Sequence, residues 1–209
     1  MTKKERAAAC VEALKAKYPE ARCSLRSLNA FQLLVATRLS AQCTDARVNL
    51  VTPKLFERFP TPKDFADASP EEVGEYIKSC GLYRTKAKSL VEMGKMLCEK
   101  FGGEVPDTLE DLIKLPGIGR KTANLIMGDV YGKPAIVTDT HLIRITNRLG
   151  LVNATDPYKV EMHLKGIIDP AESSDFCHRI VMFGREICSA RNPKCEECIL
   201  KRYCKNQAK

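Results

Sequence analysis

The stretch Leu115–Asn124, LPGIGRKTAN, decides how the chain around it folds. A helical pattern over residues 109–115 leads into it, and a second one runs from Arg120 to about Val130. Between them, Pro116 fixes one backbone angle, and the glycines that follow can adopt positive φ without a Cβ clash. The sequence therefore predicts two helices joined by a tight hairpin.

The predicted hairpin has the properties of a phosphate site. The backbone N–H groups at the start of the second helix lie at the positive end of its dipole, so Gly117, Gly119 and Arg120 are candidate contacts to a phosphate backbone. Lys121 lies in the first turn, where the dipole opposes a positive ammonium and should make the amine easier to deprotonate. A neutral amine beside a phosphate can act as a nucleophile. The alternative is an ordinary helical turn with a solvated lysine.

The composition indicates a globular protein with an anionic partner. The chain has 209 residues, of which 44% are apolar and 29% charged, and its formal net charge is +8. A basic excess of this size favours nucleic acid as the partner, although a mildly basic surface without a partner is the alternative. No apolar run reaches the roughly 18 residues of a membrane span, and no apolar leader follows Met1. We therefore expect a cytoplasmic, nucleoid-associated protein of prokaryotic type that does not enter a membrane.

Hydrophobic periodicity of about 3.6 residues recurs along the chain, while the alternation typical of strands is almost absent. The short apolar segment 135–138 resembles a strand only by composition. The fold class is therefore predicted to be all-α with short turns. Helices are predicted over residues 3–17, 29–39, 84–101, 109–115, 120–130, 156–168 and 174–187. A further helix is capped by Thr44 or Asp45 and runs to about Phe59, and another begins at Pro62. The helix opened by Ser69 ends at Gly81, and the one capped by Asp139 or Thr140 runs through Leu149.

Four of the ten cysteines lie close together near the end of the chain and predict a metal centre. Zinc ribbons usually contain two C-x2-C pairs, whereas this segment has one, and the uneven spacing fits a [4Fe–4S] cluster better. Zinc and unbound cysteines remain the alternatives. The four are Cys188, Cys195, Cys198 and Cys204.

Basic residues accompany this cysteine segment. Arg191 and Lys194 lie in the loop between the first two cysteines. On a loop held by a metal centre they can contact DNA phosphates, or they can simply offset the charge of the centre.

Four motifs together closely resemble the endonuclease III family of DNA glycosylases. They are SAQCTD at 40–45, the hairpin, VTDTHLIRITNR at 137–148 and the cysteine box, and the resemblance covers essentially the whole chain. It implies a six-helix domain with a helix–hairpin–helix over 23–133. It also implies a [4Fe–4S] domain formed by 1–22 with 134–209, and a DNA-binding cleft between the two domains.

The resemblance also implies the activity and the roles of individual residues. The family members are bifunctional DNA glycosylases and abasic-site lyases of base excision repair. They remove oxidised pyrimidines through a lysine Schiff base and cut the strand 3′ to the abasic site by β-elimination. Carried over, Lys121 is the nucleophile, Asp139 its acidic partner, Gln42 fills the gap left by the flipped base and Leu82 wedges into the opposite strand. The expected partner is duplex DNA with an oxidised pyrimidine or an abasic site, bound by a monomer.

Individual residues distinguish a lysine-dependent glycosylase from the alternative functions. Adenine glycosylases usually have serine in place of Lys121 and a glutamate near Ala36. A hairpin module that only binds DNA has no need for Lys121 and Asp139 together, although Asp139 alone also fits a simple helix cap. Cys43 stands where alanine is common and Thr138 where valine is common, so the base preference can differ from that of relatives.

Overall fold

The computed structural model describes residues 1–205, and these residues form eleven α-helices and three short 3-10 turns without any β-strand. The prediction of an all-α fold is confirmed. Within the same residues, no helix has both the length and the apolar character that crossing a bilayer requires. The chain divides into a central unit, Ser24–Tyr131, and a terminal unit formed by Met1–Cys23 with the chain from Gly132 onward.

The central unit is built around its longest helix, which packs against the two short helices that precede it. Phe65 lies in the core beside Phe59, with ring centroids 5.1 Å apart, and beside Phe31 at 5.5 Å. The helices of this unit are α2 (Ala30–Ser40), α3 (Asp45–Arg58), α4 (Pro62–Asp67), α5 (Pro70–Ile77), α6 (Tyr83–Phe101), α7 (Leu109–Leu112) and α8 (Arg120–Asp129).

The terminal unit joins the first helix of the chain to the last ones. The Tyr18 hydroxyl donates to Glu186 at 2.7 Å, and Arg6 donates to the Leu149 carbonyl at 3.3 Å, so the N-terminal helix is fixed by residues far along the sequence. The helices are α1 (Lys3–Lys17), α9 (Thr140–Arg148), α10 (Pro157–Lys165) and α11 (Ser173–Glu186), with 3-10 turns at Pro170–Glu172, Cys195–Glu197 and Lys201–Tyr203.

Helix starts agree with the predictions because they depend on local chemistry. Five N-cap side chains accept the backbone N–H three residues ahead, which satisfies one of the unpaired donors of a first turn. They are Thr44, Thr61, Ser69, Thr108 and Asp139.

Three predicted helix ends are wrong. The helix predicted over 156–168 ends at Lys165, because the Gly166 N–H bonds back to the His163 carbonyl and the chain turns there. The helix that starts after Ser69 ends at Ile77 rather than Gly81, because the Cys80 N–H bonds back to the Ile77 carbonyl and tightens the chain into a turn. The helix that leads into the hairpin ends at Leu112 rather than Leu115. Pro116 disfavours helical backbone at the residue before it, so the chain leaves the helix early.

Candidate active site and metal centre

The hairpin between α7 and α8 is closed by a hydrogen bond from the Ile118 N–H to the Leu115 carbonyl at 3.1 Å. Both of these side chains are buried and anchor the loop. Gly117 has φ +77°, which only glycine adopts without strain, whereas Gly119 is extended at φ −97°. Only one of the two glycines therefore uses the conformational freedom that the sequence suggested.

Lys121 lies in the first turn of α8, and its side chain is exposed, as are Gly117 and Gly119. Gly119 is the N-cap of α8 and has no side chain with which to cap it. Within residues 24–131, α6 and α8 are the helices that begin without a side-chain cap. The first turn of α8 therefore presents N–H groups, half-buried Arg120 and an exposed amine together, which suits an anionic backbone.

Arg38 of α2 packs closely against Gly117 of the hairpin, a contact that was not predicted from the sequence. Its Nε donates to the Ser89 hydroxyl at 2.9 Å, and burial lowers the pKa of Arg38. A Cβ atom on Gly117 would lie 2.3 Å from that Nε. The available signal was a single charged residue in a predominantly apolar helix, α2.

Gly117→Ala is expected to destabilise the holoenzyme more than Gly102→Ala. Both positions have positive φ, so alanine costs each about 1–2 kcal/mol. Nothing lies within 4 Å of a Cβ at Gly102, whereas at Gly117 Arg38 must move away from Ser89. Denaturation midpoints of the two variants measure the difference. Equal losses would mean that the close contact with Arg38 does not hold the hairpin.

Two exposed turns of the central unit have strained backbone. Gln42 at φ 53° and Leu82 at φ 56° are the non-glycine residues with positive φ among residues 1–205. Each such residue costs about 1 kcal/mol or more, which surrounding contacts must offset. Leu82 is 62% exposed although it is apolar, and Gln42 is exposed as well. We call residues 41–44 the Gln42 turn and residues 78–82 the Leu82 turn.

The structure brings these two turns together. A Cβ atom on Gly81 would lie 3.6 Å from the Gln42 carbonyl oxygen. Lys86 of α6 is fully buried, and its Nζ donates to the carbonyls of Leu39 at 2.8 Å and Cys80 at 3.3 Å. Burial lowers the pKa of Lys86. One ammonium thus connects the end of α2 to the Leu82 turn.

Lys86 was also not predicted from the sequence, although a signal was present. In helical spacing Lys86 shares a face with Leu90, Met93 and Leu97, all of which are buried. A lysine on an apolar helical face must find partners for its ammonium or remain uncharged. The carbonyls at the end of α2 and in the Leu82 turn are those partners.

Asp139 belongs to the terminal unit and is the N-cap of α9. Its Oδ1 accepts the Leu142 N–H at 2.7 Å, and the side chain is half-buried. The alternative reading of Asp139 as a helix cap therefore describes a real interaction, which fixes the orientation of the carboxylate and does not exclude further chemistry.

The four cysteines of the C-terminal segment surround a cavity of about 300 Å³ in the terminal unit. Burial raises the pKa of Cys198, and the other three thiols raise it further because they face the same space. The lining residues are Arg148, Ile187, Cys188, Pro193, Lys194, Cys195, Glu196, Cys198, Lys201 and Cys204.

Arg148, at the end of α9, organises the start of this segment. Its Nη1 donates to the Cys188 sulfur at 3.2 Å and to the Ser189 carbonyl at 2.7 Å, and its Nη2 donates to Ala190 at 2.8 Å. Its own carbonyl accepts the Lys205 N–H at 2.9 Å. A guanidinium in this position offsets thiolate charge, and no spacing in the sequence indicated it.

The donor set fits a polynuclear cluster better than a single ion. Zinc holds its four ligands at about 2.0–2.3 Å, which requires side chains that converge on one point. Among residues 1–205, no group of three or more histidine, cysteine or acidic side chains is arranged around a single ion. Four thiols around a cavity of about 300 Å³ instead suit an iron–sulfur cluster.

Arg191 and Lys194, the predicted phosphate contacts of this segment, are both exposed. The Lys194 backbone N–H donates to the Ile187 carbonyl at 2.9 Å, which folds the loop back onto the end of α11. The loop therefore has a defined conformation that presents both basic side chains to solvent.

The chain matches known proteins over nearly its whole length. Residues 35–170 match the HhH-GPD superfamily of base excision DNA repair proteins, and residues 188–204 match the iron–sulfur binding domain of endonuclease III. The endonuclease III of Bacillus subtilis (strain 168) is 43% identical, covering 96% of this chain and 92% of the relative. That of Synechocystis sp. (strain ATCC 27184 / PCC 6803 / Kazusa) is 46% identical over 97% and 93%.

A solved structure shares the architecture. The structure of a trapped covalent intermediate of endonuclease III with DNA, an estranged-adenine complex, has a TM-score of 0.92 and 43% identity. The match covers 98% of this chain and 97% of that one.

The fold and the hairpin site thus define a helix–hairpin–helix protein of base excision repair. Within that class, the chain belongs to the endonuclease III family. It is a DNA glycosylase with abasic-site lyase activity, and it carries a [4Fe–4S] cluster. These activities and the cluster are the ones that the motifs predicted.

Proposed function

We propose that this enzyme removes oxidised pyrimidines from duplex DNA and cuts abasic sites, with Lys121 as the nucleophile. The observation that supports this role is the exposed amine in the uncapped first turn of α8, beside the hairpin amides. An amine in this position has access to a sugar whose phosphate is held by the helix N-terminus.

The proposed reaction begins when the Lys121 Nζ lone pair attacks the sugar C1′ and the glycosidic bond breaks, so that the base leaves with the bonding electrons. Opening of the sugar ring gives an imine between Nζ and C1′. The imine acidifies the C2′ proton, and loss of that proton expels the 3′ phosphate by β-elimination. Asp139 is the proposed acidic partner, which orients or deprotonates Lys121 or stabilises positive charge on the opening sugar.

The proposed DNA contacts divide into two kinds. Gln42 and Leu82 fill the space that the flipped nucleotide vacates, which offsets part of an unstacking cost of a few kcal/mol. The strained, exposed turns that carry them support this proposal, because such strain often accompanies function. The proposed phosphate contacts are the hairpin backbone at Gly117, Gly119 and Arg120 and the side chains of Arg191 and Lys194.

The [4Fe–4S] cluster is proposed to be structural, with Cys188, Cys195, Cys198 and Cys204 as its ligands. When bound, it would hold together residues 188–204, a segment with little apolar core of its own. The proposed domains are residues 23–133, and 1–22 with 134–209.

We further propose that the enzyme acts as a monomer in the cytoplasm of a prokaryote, in association with the nucleoid.

Borohydride trapping tests this proposal. The holoenzyme is incubated with borohydride and a duplex that contains one thymine glycol, and with matched duplexes that contain 8-oxoguanine or no lesion. A covalent protein–DNA adduct is expected with thymine glycol alone, because borohydride reduces the imine to a stable amine. An equal yield with 8-oxoguanine would contradict the pyrimidine preference. Base release without any adduct would contradict the Schiff-base mechanism.

A further inference from the structure

Two thiols outside the cysteine box meet between the Gln42 turn and the Leu82 turn. Cys43 in the first turn is half-buried, and Cys80 in the second is fully buried. The pKa of Cys80 is raised to about 11, chiefly by burial and in addition by the nearby Cys43, whose side chain lies within hydrogen-bonding reach of the Cys80 thiol. A disulfide requires two cysteines that the fold already brings side by side.

The backbone contacts between the turns place these thiols together independently of their own hydrogen bond. Cys43 directly follows Gln42, and Cys80 directly precedes Gly81, whose Cβ position lies 3.6 Å from the Gln42 carbonyl oxygen. Lys86 also bonds to the Cys80 carbonyl and to the Leu39 carbonyl at the end of α2, which leads into the Gln42 turn. The proximity of Cys43 and Cys80 is therefore a property of the fold.

Positive charges near the pair partly offset the burial that raises the pKa of Cys80. The Lys86 ammonium interacts electrostatically with both Cys43 and Cys80, and a buried cation stabilises a thiolate. Arg47 adds a second positive charge near Cys80. Since Cys43 is partly accessible, a small oxidant can reach the pair from solvent.

We propose that Cys43 and Cys80 form a peroxide-sensitive dithiol site that closes to a disulfide across the two turns. The Cys43 sulfur attacks hydrogen peroxide, which gives a sulfenic acid and one water. The Cys80 sulfur then displaces the sulfenic hydroxyl, which leaves with the Cys80 proton as a second water. Each sulfur loses one electron, and the two peroxide oxygens gain them.

The consequence for DNA binding rests on the proposed function of Gln42 and Leu82. A disulfide between Cys43 and Cys80 joins the turns that carry these side chains and so constrains the positions that Gln42 and Leu82 adopt against a duplex. The oxidised enzyme therefore binds a lesion duplex more weakly than the reduced enzyme, and a thiol reductant restores the binding.

Peptide mapping of the peroxide-treated holoenzyme tests the dithiol site. After remaining thiols are alkylated, trypsin releases Leu39–Arg47 and Ser79–Arg84, each of which contains one cysteine. The expected product is this pair joined, with a mass two hydrogens below the sum, that dithiothreitol separates. Cys43→Ala, and Cys43→Ser if alanine prevents folding, gives no joined pair. Alkylated Cys43 and Cys80 after peroxide treatment, or pairs with other cysteines instead, overturn the proposal.

A binding measurement on the same samples separates this inference from the proposed function. The wild-type enzyme is expected to lose affinity for a thymine glycol duplex on oxidation, while Cys43→Ala does not, with the visible absorbance of the cluster unchanged in both. A joined pair without loss of affinity overturns the effect on binding. Failure of the reduced wild-type enzyme to bind would instead contradict the proposed function and leave the peptide result as it stands.

Discussion

Lys121→Ala is expected to abolish borohydride trapping and to lower the rate of base release by about a thousandfold or more. This corresponds to about 4 kcal/mol of transition-state stabilisation. The physical reason is that, in the proposed mechanism, the imine from which β-elimination proceeds forms on the Lys121 amine. The side chain is exposed, so its truncation removes the reacting atom without opening a cavity.

Lys114→Ala is the matched control for this variant. Lys114 also lies beside the hairpin and is exposed, but its amine pairs with Asp111 at 2.7 Å. A surface ion pair of this kind contributes about 0–1 kcal/mol, so trapping should remain at the wild-type level. If Lys121→Ala still forms an adduct while Lys114→Ala loses it, the nucleophile has been assigned to the wrong lysine.

Cys198→Ala is expected to lose the [4Fe–4S] cluster and with it the structure of the segment from Cys188 onward. Among residues 189–205, Leu200 is the buried apolar side chain, and the regular structure consists of two 3-10 turns. A segment without a core depends on its metal centre for folding. The loss of stability should exceed about 4 kcal/mol, a size typical of the loss of a metal site.

Cluster absorbance and limited proteolysis measure this effect, and Cys98→Ala serves as the control. Cys98 is half-buried in α6 of the central unit, outside the cysteine box. The Cys98→Ala variant should keep the cluster absorbance and the protease resistance of the wild type. A Cys198→Ala protein with full absorbance would show that a different residue ligates the cluster.

Local chemistry explains which parts of the fold were predictable. The helix starts predicted at Thr44 or Asp45, at Pro62 and at Asp139 or Thr140 were correct because a cap involves a side chain and an N–H three residues away. The hairpin at Gly117 was correct for the same reason, since proline and glycine act on their own backbone. Helix ends were less predictable, as at Ile77, because they depend on how the chain turns towards its next contact.

The sequence by itself determined the all-α class, the hairpin with Lys121 and the cysteine box, because each is encoded by residues close together in the chain. Only the tertiary structure decided the supports around them. Arg38 and Ser89 are 51 residues apart, and Lys86 reaches Leu39 across 47 residues. Arg148 reaches the Cys188 sulfur across 40. Helical spacing can mark a residue such as Lys86, but it does not indicate its partner at such separations, since folding alone brings the partners together.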